Sequence, residues 1–95
     1  MSAVADEQRA VLQIKNRLGL HARAAAQFVQ TAQKFEAEVT VSKDDQVVNG
    51  RSIMGVMMLA AEQGSRIDVT AAGPEAREAL AAIRALVAAR FNETE

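Results

Sequence analysis

Apolar and polar residues alternate with two different periods along the chain, and each change of period marks an element boundary. Ala10–Ile14 (AVLQI) is a short run of β type and predicts an edge or half-buried strand. Asn16–Leu20 (NRLGL) follows, with a Gly suited to a tight loop. From His21 the period is helical: Ala25, Phe28, Val29, Ala32 and Phe35 recur at three- and four-residue spacing, with Gln27, Gln30, Thr31, Gln33 and Lys34 between them. The period then drops to two. Ala37, Val39 and Val41 alternate with Glu38, Thr40 and Ser42, which describes a half-buried strand. Lys43–Gln46 is a polar turn and Val47-Val48 a short returning strand. Asn49-Gly50 signals another turn. Ser52–Ala61 reads as a helix closed by Gly64, and Ile67, Val69 and Ala71 alternate with Asp68 and Thr70 in the last strand. Gly73-Pro74 opens the final helix, with Pro expected in its first turn. Leu80, Ile83, Leu86 and Val87 form its stripe, which Phe91 extends, and Asn92–Glu95 is expected to fray.

The predicted order is β-α-β-β-α-β-α. Three one-sided helices and four strands predict an α+β fold in two layers, a four-stranded, mostly antiparallel sheet with three helices on one face. Ninety-five residues suit a single domain over 1–95 and leave no room for a cleft between two domains.

Composition narrows the function more than the fold. Eleven basic and twelve acidic residues leave a net charge of −1, which disfavours nucleic acid as a partner. Three Phe with no Trp or Tyr argue against a base-stacking platform. Without Cys and with one His, thiolate chemistry and an ordinary zinc site are not expected, and no metal or other cofactor is predicted. No glycine-rich nucleotide loop is present. The opening MSAVADEQR does not read as a signal peptide, so no targeting signal is expected, and the apolar run near Ile53–Ala61 is far short of the ~20 residues that span a bilayer. A cytoplasmic monomer is expected, without a membrane partner.

His21 is the most informative position. It stands where a glycine-containing loop becomes a helix, beside the unpaired backbone N–H groups of a first turn. A plain helix cap, or a ring packed on the sheet, would also fit. The charges nearby favour an anion site. The last helix starts Pro74-Glu75-Ala76-Arg77-Glu78, with acids at its positive end, whereas the first starts His21-Ala22-Arg23 with Arg17 upstream and no acid before Glu36. Arg51, just before Ser52, repeats the inverted pattern at the middle helix. A visiting or covalent anion at each start would account for both. An imidazole beside guanidinium groups and N–H donors suits phosphoryl carriage: the ring is the nucleophile, and the donors and Arg23 stabilise the arriving charge. Ser52 reads as a helix N-cap, as a phosphorylation site, or as both. Ile53-Met54-Gly55-Val56-Met57-Met58-Leu59 is apolar on every face, which suits either a buried helix or one packed on one side and docking partners on the other.

Gly19-Leu20-His21-Ala22-Arg23 resembles the active-site signature of the HPr family, the histidine-containing phosphocarriers of the bacterial phosphoenolpyruvate-dependent phosphotransferase system. Asn49-Gly50-Arg51-Ser52-Ile53-Met54-Gly55-Val56-Met57 resembles that family's regulatory-serine signature, at the family's spacing. The resemblance runs from about Ala10 to about Phe91 and implies an open-faced β-sandwich. It also implies that His21 accepts a phosphoryl group from enzyme I, in the family through Nδ1, and passes it to a histidine of an enzyme IIA domain. Arg23 would help to stabilise the transferring group; Arg17 and Ala22, read from the loop and first turn around His21, are its expected supports. Ser52 would be the target of an HPr kinase/phosphorylase. Ala26, Ile53, Met54 and Met57 would form the docking face. The implied protein is a carrier and not an enzyme in its own right. The family usually has Pro after the signature Arg, where this chain has Ala24. A mainly regulatory member, as in the nitrogen-related branch, is the alternative. A small α+β hydrolase such as an acylphosphatase fits the size but not the Arg and His placement.

Overall fold

The computed structural model describes residues 7–93. Along the chain run β1 (Glu7–Gln13), α1 (Ala22–Gln33), β2 (Glu38–Lys43), β3 (Gln46–Asn49), α2 (Ile53–Met58), β4 (Arg66–Ala72) and α3 (Ala76–Ala88), followed by a 3₁₀ turn at Arg90–Asn92. The sheet order is β1-β4-β2-β3 and every pairing is antiparallel. The α+β architecture with an open sheet is therefore the one expected. β1 and β2 both run antiparallel to β4, so the last strand lies between two parallel strands that the chain laid down much earlier.

The period-two pattern sorts the sheet's faces as the physics of the pleat requires. Val39, Val41, Ile67, Val69 and Ala71 point inward and are buried. Ala10 and Leu12 of β1 oppose Val69 and Ile67 from the same side. On the outer face Arg9 donates from Nε to both carboxylate oxygens of Asp68, at 2.8 and 3.0 Å. That bond holds the Asp68 carboxyl below the usual carboxylate range, against the opposing pull of burial.

The helices cover the inner face with Ala24, Ala25, Phe28, Val29 and Ala32 from α1 and Ala76, Ala79, Leu80, Ile83 and Val87 from α3. Small Ala side chains let the helices come close, and Phe28 of α1 joins the core with no exposure at all.

Several boundaries differ from the pattern. β1 begins at Glu7, earlier than Ala10, because the ladder with β4 runs on to Glu7↔Ala72. α2 ends at Met58, short of Ala61: Ala60 turns left-handed (φ 50°) and the Ala61 carbonyl accepts from Leu20 N–H at 2.9 Å. That segment is tied to the loop before α1 and cannot continue the helix. Pro74 precedes the first turn of α3, whose N-cap is Glu75. The expected fray at Asn92–Glu95 is corrected for its described part, Asn92 and Glu93. Phe91 is buried, and Glu93 carries two side-chain hydrogen bonds. Thr94 and Glu95, like residues 1–6, lie outside the described residues.

Candidate functional site

The site is assembled where the β1–α1 loop meets the segment after α2. Ile14 N–H donates to Ser65 O at 2.8 Å, and Gly64 N–H returns a bond to Ile14 O at 2.7 Å. Gly19 closes the loop at φ +67°, and a Cβ there would overlap the Ala61 carbonyl oxygen. Both the left-handed backbone and the close approach require Gly. The loop therefore delivers His21 in an extended conformation to the N-cap of α1, and its carbonyl accepts the first helical bond from Ala25 N–H at 2.8 Å.

His21 is the N-cap by position, but its side chain makes no capping bond. The ring instead faces a carboxylate: Nε2 lies 2.6 Å from Glu93 Oε2. The other carboxylate oxygen, Oε1, accepts from Asn16 Nδ2 at 3.1 Å, and the same Nδ2 donates to Gly19 O at 2.8 Å. Asn16 is fully buried, and its Oδ1 has no partner among the described residues. The His21 side chain keeps 28% of its surface exposed, and Glu93 keeps 14%. Burial on its own would raise the Glu93 carboxyl. The hydrogen bonds from His21 and Asn16, with the charges of His21 and Arg23, outweigh it and hold the group below the ordinary carboxylate value.

The expected companions of His21 are brought together. Arg17, Ala22 and Arg23 line one open pocket with His21, Leu18, Asn92 and Glu93. The first helical turn contains no acid, as read from the sequence. The tail supplies one instead, from 72 residues away. Neither Asn16 nor Glu93 was among the expected site residues. The only hint of either was Phe91, an apolar residue in a polar tail, which marks that end as docked.

Ser52 is the N-cap of α2 and its Oγ accepts from Gly55 N–H at 3.2 Å. The reading of Arg51 as a second anion-facing cation is overturned. Its Nη1 donates to the carbonyls of Ala32, Phe35 and Ala37 at 3.1–3.2 Å. The charge is therefore spent at the negative end of α1, where a cation belongs. α2 is divided as its all-round apolar sequence allowed: Val56 and Leu59 are buried, while Ile53, Met54, Met57 and Met58 are exposed, Met54 by 70%. Ala26 is half-buried on α1. Ala26, Ile53, Met54 and Met57 lie outside the lining of the His21 pocket.

A family profile described as "PTS HPr component phosphorylation site" matches residues 8–89. The chain belongs to the HPr family. The Phosphocarrier protein HPr of Neisseria meningitidis serogroup A is 49% identical over 84 residues, 88% of this chain and 94% of that protein. Among solved structures, HPr-C-His from Thermoanaerobacter tengcongensis superposes with a TM-score of 0.89 at 43% identity, covering 93% of this chain and 99% of that one. A phosphocarrier protein HPr from Bacillus anthracis str. Ames gives 0.82 at 44% identity, covering 85% and 96%. HPr proteins are phosphocarriers of the phosphotransferase system, and that is the role to which this chain's family membership assigns it. Against the family's usual Pro, Ala24 is helical and buried in the first turn of α1. The turn forms without a ring to preset its backbone. Among the described residues, no three His, Asp or Glu are grouped to hold a metal, and no helix is long and apolar enough to cross a membrane.

Proposed function

We propose that His21 carries the phosphoryl group, taking it from enzyme I, itself charged by phosphoenolpyruvate, and giving it to a histidine of an enzyme IIA domain. The observation that carries this reading is the His21 ring, reachable from solvent at the start of α1 in a pocket shared with Arg17 and Arg23. In the forward step a ring nitrogen's lone pair forms a bond to phosphorus, and the bond to the donor nitrogen breaks, its electron pair staying on the donor. Arg23, on the exposed first turn, meets the phosphoryl oxygens, with Arg17 and the N–H groups of Ala22 and its neighbours in support. Transfer between two imidazoles is nearly balanced, so either partner can drive it by mass action.

Ile53, Met54 and Met57, with Ala26, form the docking face, which flexible Met side chains adapt to successive partners. Ser52 is the regulatory site for an HPr kinase/phosphorylase. A dianion there would sit beside exposed Ile53 and Met54 and oppose apolar docking. A mainly regulatory role would keep the serine chemistry and make the carrier step secondary.

Incubation with phosphoenolpyruvate and enzyme I should add one acid-labile phosphoryl group to the protein, read by intact mass, and His21→Ala should add none. No gain in the wild-type chain, or an equal gain in His21→Ala, overturns the proposal. With the kinase and ATP, an acid-stable group should appear on the wild type and be absent from Ser52→Ala.

A further inference from the structure

The contact between His21 and Glu93 is more than a surface ion pair, because both of its ends are fixed. Glu93 Oε2 stands 2.6 Å from Nε2, and Oε1 is held by Asn16. The Asn16 amide has only one possible orientation. Its two neighbours, Gly19 O and Glu93 Oε1, are both acceptors, so the nitrogen must face them. Asn16 is fully buried in a loop that Gly19 closes, so this donor has nowhere to move. The tail is anchored by buried Phe91, and three successive residues (Arg90, Phe91 and Asn92) take left-handed backbone angles of 54–63° to reach that position. Each such residue costs roughly 1–2 kcal/mol unless its surroundings hold it there.

An unprotonated Nε2 that close to a carboxylate would set two acceptors against each other. The proton therefore sits on Nε2, and in the neutral ring Nδ1 bears the free lone pair. We propose that Glu93 is a positioning residue for His21: aligned by Asn16, its carboxylate keeps the ring proton on Nε2 and so presents Nδ1 to the incoming phosphoryl group. This inference rests on the phosphocarrier reading of His21.

The balance of the step gives Glu93 its use. Nδ1 forms the N–P bond with its own lone pair while the donor's bond to phosphorus breaks. Nε2 keeps its proton, so the ring becomes cationic, and the Glu93 carboxylate lies against that charge. On delivery the N–P electron pair returns to Nδ1, and the ring is again neutral with its proton still on Nε2. Neither direction needs a proton from solvent.

The arrangement makes an unusual demand of Glu93→Gln. Asn16 Nδ2 is a donor, so it selects the oxygen of the new amide, which turns the amide NH₂ toward Nε2. Nε2 must then accept, and the ring proton moves to Nδ1, masking the nucleophile. A carboxylate-to-amide change of this kind puts a reactive imidazole in the wrong tautomer. Glu93→Ala imposes no tautomer and should do less harm.

The test uses the full chain, with His21 observed by two-bond ¹H–¹⁵N correlation before loading and phosphoryl uptake from phosphoenolpyruvate and enzyme I timed afterwards. The wild type should show the Nε2–H tautomer and Glu93→Gln the Nδ1–H tautomer. Uptake should fall by roughly 10²-fold or more in Glu93→Gln and by about tenfold in Glu93→Ala, with helical circular dichroism unchanged. Retention of Nε2–H in Glu93→Gln, or equal uptake losses in the two variants, overturns the assignment. The tautomer is read on unloaded protein, so it decides the role of Glu93 even where loading fails. A wild-type chain that shows the Nε2–H tautomer but takes no label on His21 counts instead against the carrier reading.

Discussion

Ser52 caps α2 through one bond to Gly55 N–H, and the helix it starts is only six residues long. Ser52→Ala should therefore cost about 0.5–2 kcal/mol in urea denaturation, while Ser52→Asn, which keeps an acceptor, should lose less. Glu93 gives a second expectation at this scale. Its folded-state value lies below the ordinary 4.5, so its contribution to stability is complete above 4.5 and is lost as pH falls through the depressed value. The stability gap between wild type and Glu93→Gln should then be flat near neutral pH and close on acidification, which paired urea melts would show. A gap that widened in acid would contradict this sign. His21 was legible from sequence because its setting is local: a glycine loop, a helix start, and cations within four residues. Glu93 was not, since its effect depends on a fold that joins positions 72 residues apart.

Arg51 shows how an element can mislead when read along the chain. It precedes Ser52 in sequence, yet its guanidinium closes the far end of α1 on three carbonyls. Arg51→Ala should lose about 1.5–3 kcal/mol, the range for hydrogen bonds to a charged group. Arg51→Lys should recover only part, since an ammonium cannot match the planar fork. An unchanged urea midpoint in Arg51→Ala would contradict a stabilising role for these three bonds. Phe28 tests the packing of the same helix: it is fully buried in the core, and its truncation to Ala should cost about 3–5 kcal/mol by denaturant titration at unchanged m-value. Element types followed directly from the hydrophobic period, and β1, β2 and β4 differ from expectation only at their ends. α2 departed further because a contact between loops, Leu20 N–H to Ala61 O, ends it.

At the scale of the whole molecule, the core and the site share a strut. Phe91 seals the core and Glu93, two residues on, holds the His21 ring. Phe91→Ala should cost about 3–5 kcal/mol and also release the ring, seen as loss of the Nε2–H signal in the unloaded protein. Arg90→Gly, by contrast, should stabilise by up to about 1 kcal/mol in the same melts, because Gly takes φ 56° without a Cβ penalty. The sequence by itself determined which segments are helix and strand, which face of each is apolar, and that a lone imidazole opens the first helix among cations. These follow from periodicity and short-range sterics, which act over a few residues. Only the tertiary structure decided that Arg51 serves α1, that α2 stops at Met58, and that a tail expected to fray brings Asn16's partner to His21. Those outcomes depend on contacts between residues far apart in the chain, and no local pattern encodes a distance that exists only once the sheet has closed.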